Sequence, residues 1–204
     1  MKYLSVWIRG ILAGIAIGLG GTVYLLLDNR FLGAAMFTVG LFTVCTRGFA
    51  LFTGRVCYAL EKDRSYLLEL LVIWLGNFVG AWLLAQVESV TRTGPQLMEK
   101  AISVCQVKLS DNLLSIFVLA ALCNVMIFIA VDGYAKNPHE TGKYLALFFG
   151  VMVFILCGFE HCVANMYYFS MAHVWNGSTL LYLLVMTAGN TIGGLLIPVL
   201  QSLV

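Results

Sequence analysis

Gly158-Phe159-Glu160-His161-Cys162-Val163-Ala164-Asn165-Met166 sets an acid, an imidazole and an amide inside a stretch, residues 144–171, that is otherwise apolar. If that stretch lies in a bilayer, each ionisable group costs at least ~2.5 kcal/mol on the most lenient scales. Glu160 and His161 therefore face protein or water, and Gly158 beside them marks an interruption of the helix. Histidine exchanges its proton near neutral pH, and as a neutral donor it can still hydrogen-bond an oxyanion. Asn165 follows His161 by four residues, on the same face if the helix resumes. The same three side chains would equally serve as a network holding the break together, and for Glu160 a bond to freed backbone groups is the expected role.

Composition supports the bilayer. Hydrophobic residues fill 61% of the 204 positions and charged residues 11%, against roughly 25% charged in an ordinary soluble domain. The mean hydropathy is +0.92. The length accommodates six spans of about 20 residues with short loops, which excludes a soluble catalytic domain. A net charge of +2 without a basic stripe gives no case for nucleic acid. The apolar run 4–27 is longer than a secretory h-region and lacks an Ala-x-Ala site, so it reads as a retained span. The six cysteines form no C-x-x-C pair and read as small apolar residues.

Outward from the opening stretch, six apolar segments emerge: 4–27, 31–60, 67–87, 113–131, 144–171 and 180–204. The second is too long for a simple span and contains Arg47, Gly48 and Gly54. Thr93-Gly94-Pro95 signals a turn, with a short amphipathic helix after it. Asp132 to Pro138 reads as a loop. Lys2, Arg9, Lys62, Arg64, Lys136 and Lys143 collect on one side, Arg30, Arg92 and Lys100 on the other. Six against three places both termini in the cytoplasm.

Segments four to six resemble segments one to three. Gly76-Asn77-Phe78-Val79-Gly80-Ala81 matches Gly189-Asn190-Thr191-Ile192-Gly193-Gly194 at an offset of 113, and Gly48-Phe49 matches Gly158-Phe159 at 110. Three spans per half make the second copy enter from the opposite side. The expectation is one all-α integral membrane domain, 1–204, with six transmembrane helices in a 3+3 inverted repeat: repeat A 1–87, connecting loop 88–112, repeat B 113–204. Spans two and five are broken, and paired breaks point to a transport pathway at the repeat interface. Small residues four apart let helices approach closely, and packing is the expected role of Asn77 and Asn190.

Thr53 belongs to the break in segment two, where its hydroxyl can face His161. Arg47 and Arg55 flank that break; each either favours anions in the pathway or serves outside it, Arg55 by snorkelling and Arg47 by capping carbonyls. Lys108, just before segment four, reads as a lone cation that would raise the anion concentration at a pore mouth, or as an ordinary interfacial lysine.

With these residues set out, the chain resembles the formate/nitrite transporter family. The opening nonapeptide is similar, almost residue for residue, to that family's G-F-E-H-[SC]-x-A-N-M signature. Leu51-Phe52-Thr53 resembles its L-F-T element, and Cys123-Asn124, Lys108 and Gly189-Asn190-x-x-Gly193-Gly194 fit as well. The resemblance implies a helix bundle of aquaporin-like outline with a pore in each of five protomers, in the cytoplasmic (inner) membrane. It implies passage of small monovalent anions or their conjugate acids, linked to protons, with formate, nitrite, hydrosulfide and lactate all open as substrates. His161, Thr53, Asn124, Asn165 and Glu160 would form the pore centre, and Lys108 would attract the anion. Phe37, Leu41, Leu51, Phe52, Ile127 and Phe154 would form two apolar constrictions. No catalytic residue, metal or cofactor is implied. Three departures stand out. No amphipathic helix precedes Tyr3, which leaves gating by that element without a carrier. Arg47 and Arg55 occupy sites usually small, apolar or uncharged, and are expected to tune selectivity. The chain stops at span six without a tail.

Two other readings compete. A neutral-solute channel would have no titratable centre, which His161 opposes. A haem-bearing anchor needs paired histidines on facing helices, whereas His161 and His173 share segment five.

Overall fold

The computed structural model describes residues 2–203. Met1 and Val204, the outermost positions of the expected domain, lie outside the described residues, as does the Lys2 side chain counted for orientation. The chain forms α1 (Lys2–Leu26), α2 (Arg30–Arg47), α3 (Phe52–Arg55) continued by a 3₁₀ segment (Val56–Glu61), α4 (Ser65–Ser89), α5 (Gly94–Leu109), α6 (Leu113–Lys136), α7 (Glu140–Leu156), α8 (Cys162–Met171) and α9 (Gly177–Gln201). Asn29, Asn112 and Asn176 cap α2, α6 and α9 by accepting backbone N–H bonds, and Pro95 starts α5 where its missing N–H has no partner to lose.

Among the described residues, α1, α4, α6 and α9 are each long and apolar enough to cross a membrane; α2 with 52–61, bent by 59°, makes a fifth crossing if taken as one. α7 and α8 are separated by residues 157–161. One sequence expectation is corrected here. Residues 132–136 are helical rather than loop, because Lys136 bonds Asp132 one turn back at 2.8 Å and Gly133 lets α6 close on Ala146 of α7. The connecting loop 88–112 is mostly the 16-residue helix α5.

Two tight pairs, α1 with α4 and α6 with α9, flank the broken elements. Small residues make the pairing possible. A Cβ at Gly80 would stand 2.0 Å from the Ile11 carbonyl oxygen, and one at Gly193 would stand 1.9 Å from that of Ala121. This close approach carries an amide from each helix to the breaks.

The two breaks match bond for bond. Gly48 (φ +66°) follows the end of α2, and Gly158 (φ +70°) lies two residues past the end of α7, both in left-handed conformations that glycine adopts without strain. Phe49 N–H then reaches back to the Val44 carbonyl, and Phe159 N–H to that of Phe154, both at 2.9 Å. Ala50 N–H bonds the Arg9 carbonyl at 3.2 Å, and Glu160 N–H that of Leu119 at 3.3 Å. The Asn77 amide donates to the carbonyls of Gly10 and Ala50 and accepts from Phe52 N–H, each at 2.8 Å. The Asn190 amide donates to the carbonyls of Ala120 and Glu160, at 2.7 and 2.8 Å, and accepts from Cys162 N–H at 2.8 Å. Both asparagines are fully buried. They do more than the expected packing: each joins a full-length helix to both sides of a break.

Replacing Asn77 by leucine strands the Ala50 carbonyl and the Phe52 N–H, and replacing Asn190 strands the Glu160 carbonyl and the Cys162 N–H; the Gly10 and Ala120 carbonyls keep their partners within α1 and α6. At about 1–3 kcal/mol per orphaned group, each variant is expected to lose about 2 kcal/mol or more, seen as a lower melting temperature of the detergent-solubilised protein. Variants that melt with the parent would refute this role.

Candidate functional site

His161 is the N-cap of α8, with extended backbone angles (φ −102°, ψ 112°). Its Nδ1 accepts the Ala164 N–H at 3.1 Å, which leaves the ring proton of the neutral imidazole on Nε2. Nε2 lies 2.8 Å from Thr53 Oγ1, in the first turn of α3. His161 is 2% and Thr53 0% exposed. The imidazole donates to the threonine oxygen, and the threonine O–H remains to serve another acceptor. The Thr53 carbonyl accepts from Asn124 Nδ2 at 3.0 Å and from the Cys57 thiol at 3.2 Å, so Asn124 of α6 fixes the backbone behind the hydroxyl. The Phe154 ring stacks on His161 with centroids 5.7 Å apart, and Phe37 meets Phe154 edge-on at 6.0 Å.

Two cavities lie toward opposite ends of α2. One, of about 60 Å³, is lined by Lys108, Phe154, His161, Asn165 and Tyr168, with Tyr24 and Val104 at its edge. The other, of about 180 Å³, is lined by Leu41, Cys45, Leu51, Arg55, Tyr58 and Tyr134. Phe37, Leu41, Leu51, Ile127 and Phe154, each at most 2% exposed, belong to the core that holds the central pair. Phe52 does not join the lining of either cavity; it lines a lateral groove with Leu70, Trp74 and Leu184. Arg55 lines the larger cavity, whereas Arg47 is exposed and lines neither.

Lys108 is not a lone cation. Its Nζ lies 2.6 Å from Glu160 Oε2, with side chains 14% and 4% exposed. Asn165 Nδ2 donates to the same carboxylate oxygen at 2.8 Å and to the His161 carbonyl at 3.0 Å. The expected bond from Glu160 to backbone freed by the break is also corrected: Asn190 occupies that position, and the Glu160 side chain turns to Lys108 on α5. Opposite charges at this separation and burial attract strongly, because little water screens them. Beyond Tyr24 and Val104 lies a groove of about 230 Å³ with Asp28, Arg30 and Lys100. Lys100 reaches Asp28 at 2.8 Å and holds its carboxyl below the usual carboxylate range. Arg30 Nη2 caps the C-terminal end of α7 through the Leu156 carbonyl at 2.7 Å.

Sequence reading missed three groups. Tyr168 lines the smaller cavity, and its spacing of three from Asn165 was the available signal. Glu88, assigned to the connecting loop, lies in the last turn of α4 and accepts from Tyr167 at 2.6 Å and Thr22 at 2.8 Å. Tyr24 spans the groove and the cavity. Haem ligation finds no support: both ring nitrogens of His161 are engaged, and His173 is exposed.

The profile of the formate/nitrite transporter family matches residues 1–203. The uncharacterised transporter YrhG of Bacillus subtilis is 32% identical, covering 93% of this chain and 80% of its own. The nitrite transporter NirC of Salmonella typhimurium is 29% identical, covering 94% and 79%. Among solved structures, an FNT family ion channel superposes with a TM-score of 0.79 at 26% identity, covering 98% of this chain and 88% of that one. A pentameric formate channel with formate bound shares the fold, with a TM-score of 0.82 at 24% identity over 99% and 96%.

Removing one member of the Lys108–Glu160 pair leaves a buried charge without its partner, a loss of about 3–5 kcal/mol. Lys108→Met and Glu160→Gln should each lower the melting temperature, and the double variant should recover most of the loss. A double variant whose loss equals the sum of the singles would show that the pair is not coupled.

Proposed function

The chain belongs to the formate/nitrite transporter family, and from that premise we propose a channel for small monovalent anions or their conjugate acids, formate, nitrite and hydrosulfide being the candidate solutes. Passage is proton-linked, through a pore in each protomer of a pentamer. The alternative, an aquaporin-like channel for neutral solutes, is not favoured: its pathway has no use for a buried imidazole bonded across two helix ends.

The reading rests most on the 2.8 Å contact between His161 Nε2 and Thr53 Oγ1, with a separate cavity toward each end of α2. Six spans in a 3+3 inverted repeat agree with the paired breaks, the helices before 88 and after 112 forming the two halves of a single domain. Trp74 and Thr187, 113 positions apart, touch each other at 3.1 Å, as equivalent residues beside a two-fold axis do. Loop charge supports both termini in the cytoplasm and a cytoplasmic-membrane location. On this orientation the Lys108 cavity opens outward and the Arg55 cavity inward.

The central passage is apolar, formed by Phe37, Leu41, Leu51, Ile127 and Phe154. An ion there loses its hydration, whereas its neutral acid does not carry that penalty. A solute entering from the Lys108 side meets falling polarity, which raises the fraction held as undissociated acid. The Thr53 hydroxyl, oriented by His161, donates to the solute's oxygen as it passes Phe154. His161 and Thr53 thus lower the barrier at the one place where the solute has shed water. Arg55 on the far side receives it as an anion.

A liposome flux panel tests this, comparing formate, nitrite and hydrosulfide with glycerol. His161→Asn keeps an acceptor at the helix cap but removes the ring. It is expected to lower anion flux at neutral pH tenfold or more, a barrier rise of about 1.4 kcal/mol, with the oligomer intact. Glycerol swelling by the parent, or undiminished anion flux in the variant, would count against the proposal.

A further inference from the structure

Tyr168 and Asn165 line the cavity beside His161, and each carries a buried polar atom without a partner among the described residues, the Tyr168 hydroxyl and Asn165 Oδ1; a third such atom, Asn124 Oδ1, belongs to a residue that does not line it. Their residues are 4% and 1% exposed. A buried donor or acceptor left unmade is costly, and two such groups on residues lining one small cavity point to a missing partner. The residues are three apart on α8, so they are neighbours on one face of it. Asn165 has its orientation fixed: its Nδ2 donates to the Glu160 carboxylate and the His161 carbonyl, so the amide oxygen is an acceptor only. Tyr168 supplies an O–H donor.

The cavity's formal charge is also settled. Lys108 is bound to Glu160 at 2.6 Å, so the cation is already balanced by a carboxylate. A bare anion offers only acceptors: it would match Tyr168 but oppose both the Asn165 oxygen and Glu160. An undissociated oxyacid carries both functions within a few atoms, an O–H for Asn165 Oδ1 and a doubly bonded oxygen for the Tyr168 O–H. The volume, about 60 Å³, is about twice a water molecule's share of the liquid, ~30 Å³, and suits a solute of a few heavy atoms.

Resting on the anion-channel reading above, we infer that Tyr168 and Asn165 form a docking site for the undissociated form of a small oxyacid, HO–X=O, immediately before the His161–Thr53 step. The site distinguishes oxyacids from hydrogen sulfide, which has no oxygen acceptor for the tyrosine. It makes Tyr168 a residue that sets specificity.

Tyr168→Phe in proteoliposomes tests the inference. The half-saturating concentrations of formate and nitrite should rise about three- to tenfold, the loss of one hydrogen bond, with maximal rates held. Hydrosulfide transport should not change. An equal loss for all three solutes would mark a packing defect and overturn the site, as would no change for any. If the parent carries none of the three, the channel reading fails by itself. Saturation-transfer NMR of formate at acidic pH on the detergent-solubilised protein still reads the site, and equal signals from parent and Tyr168→Phe would sink it.

Discussion

A broken helix at membrane depth leaves backbone N–H and C=O groups with no water to bond, and hydrocarbon offers them nothing. The fold depends on how this is met. Asn77 and Asn190 each take two carbonyls and one N–H, joining a full-length helix to both sides of a break. For an amide to reach, its helix must lie almost against the neighbouring backbone, which is why Gly80 and Gly193 admit no side chain. The stripe of small residues and the broken helices are therefore one construction. A larger residue in the stripe would move the amide, and the break would lose its partners.

The candidate site follows from the same geometry. Each break ends in an extended residue followed by a short helix whose first N–H groups lack intrahelical partners. Leu51 occupies that extended position in the first break and His161 in the second, 110 residues later. Histidine there caps α8 with one nitrogen and faces Thr53 with the other, so the backbone sets both the position and the tautomer of the ring. Lys108, Glu160 and Asn165 then form a compact charge-neutral group beside it, built from α5, the break and α8.

Much of this was legible in the sequence, because polar residues and glycines in an apolar run need a reason. Both breaks, the central histidine and threonine, and the pairing of Asn77 with Asn190 at an offset of 113 follow from that rule. What was hidden depended on distance along the chain. Lys108 and Glu160 are 52 positions apart, and no local pattern joins them, so the lysine read as unpaired. The last turn of α6 was obscured by Asp132 and Gly133, which resemble a loop until Lys136 and Ala146 are placed beside them. Tyr168 was invisible for the opposite reason: an aromatic residue in an apolar helix is ordinary, and only its place in a cavity lining and its unpartnered hydroxyl set it apart. Of the two arginines, alike from spacing, three-dimensional placement brings only Arg55 to a cavity.

The carboxylate of Glu88 has a mechanical consequence. It ties the hydroxyls of Thr22 on α1 and Tyr167 on α8 to the last turn of α4, while Asn190 of α9 grips the first residue of α8, Cys162. The half-helix that follows the imidazole is thus held at its first residue and again at Tyr167, near its middle, by separate parts of the bundle. Sliding it alone would abandon a carboxylate oxygen in a half-buried setting, so the scaffold around the imidazole behaves as a fixed frame.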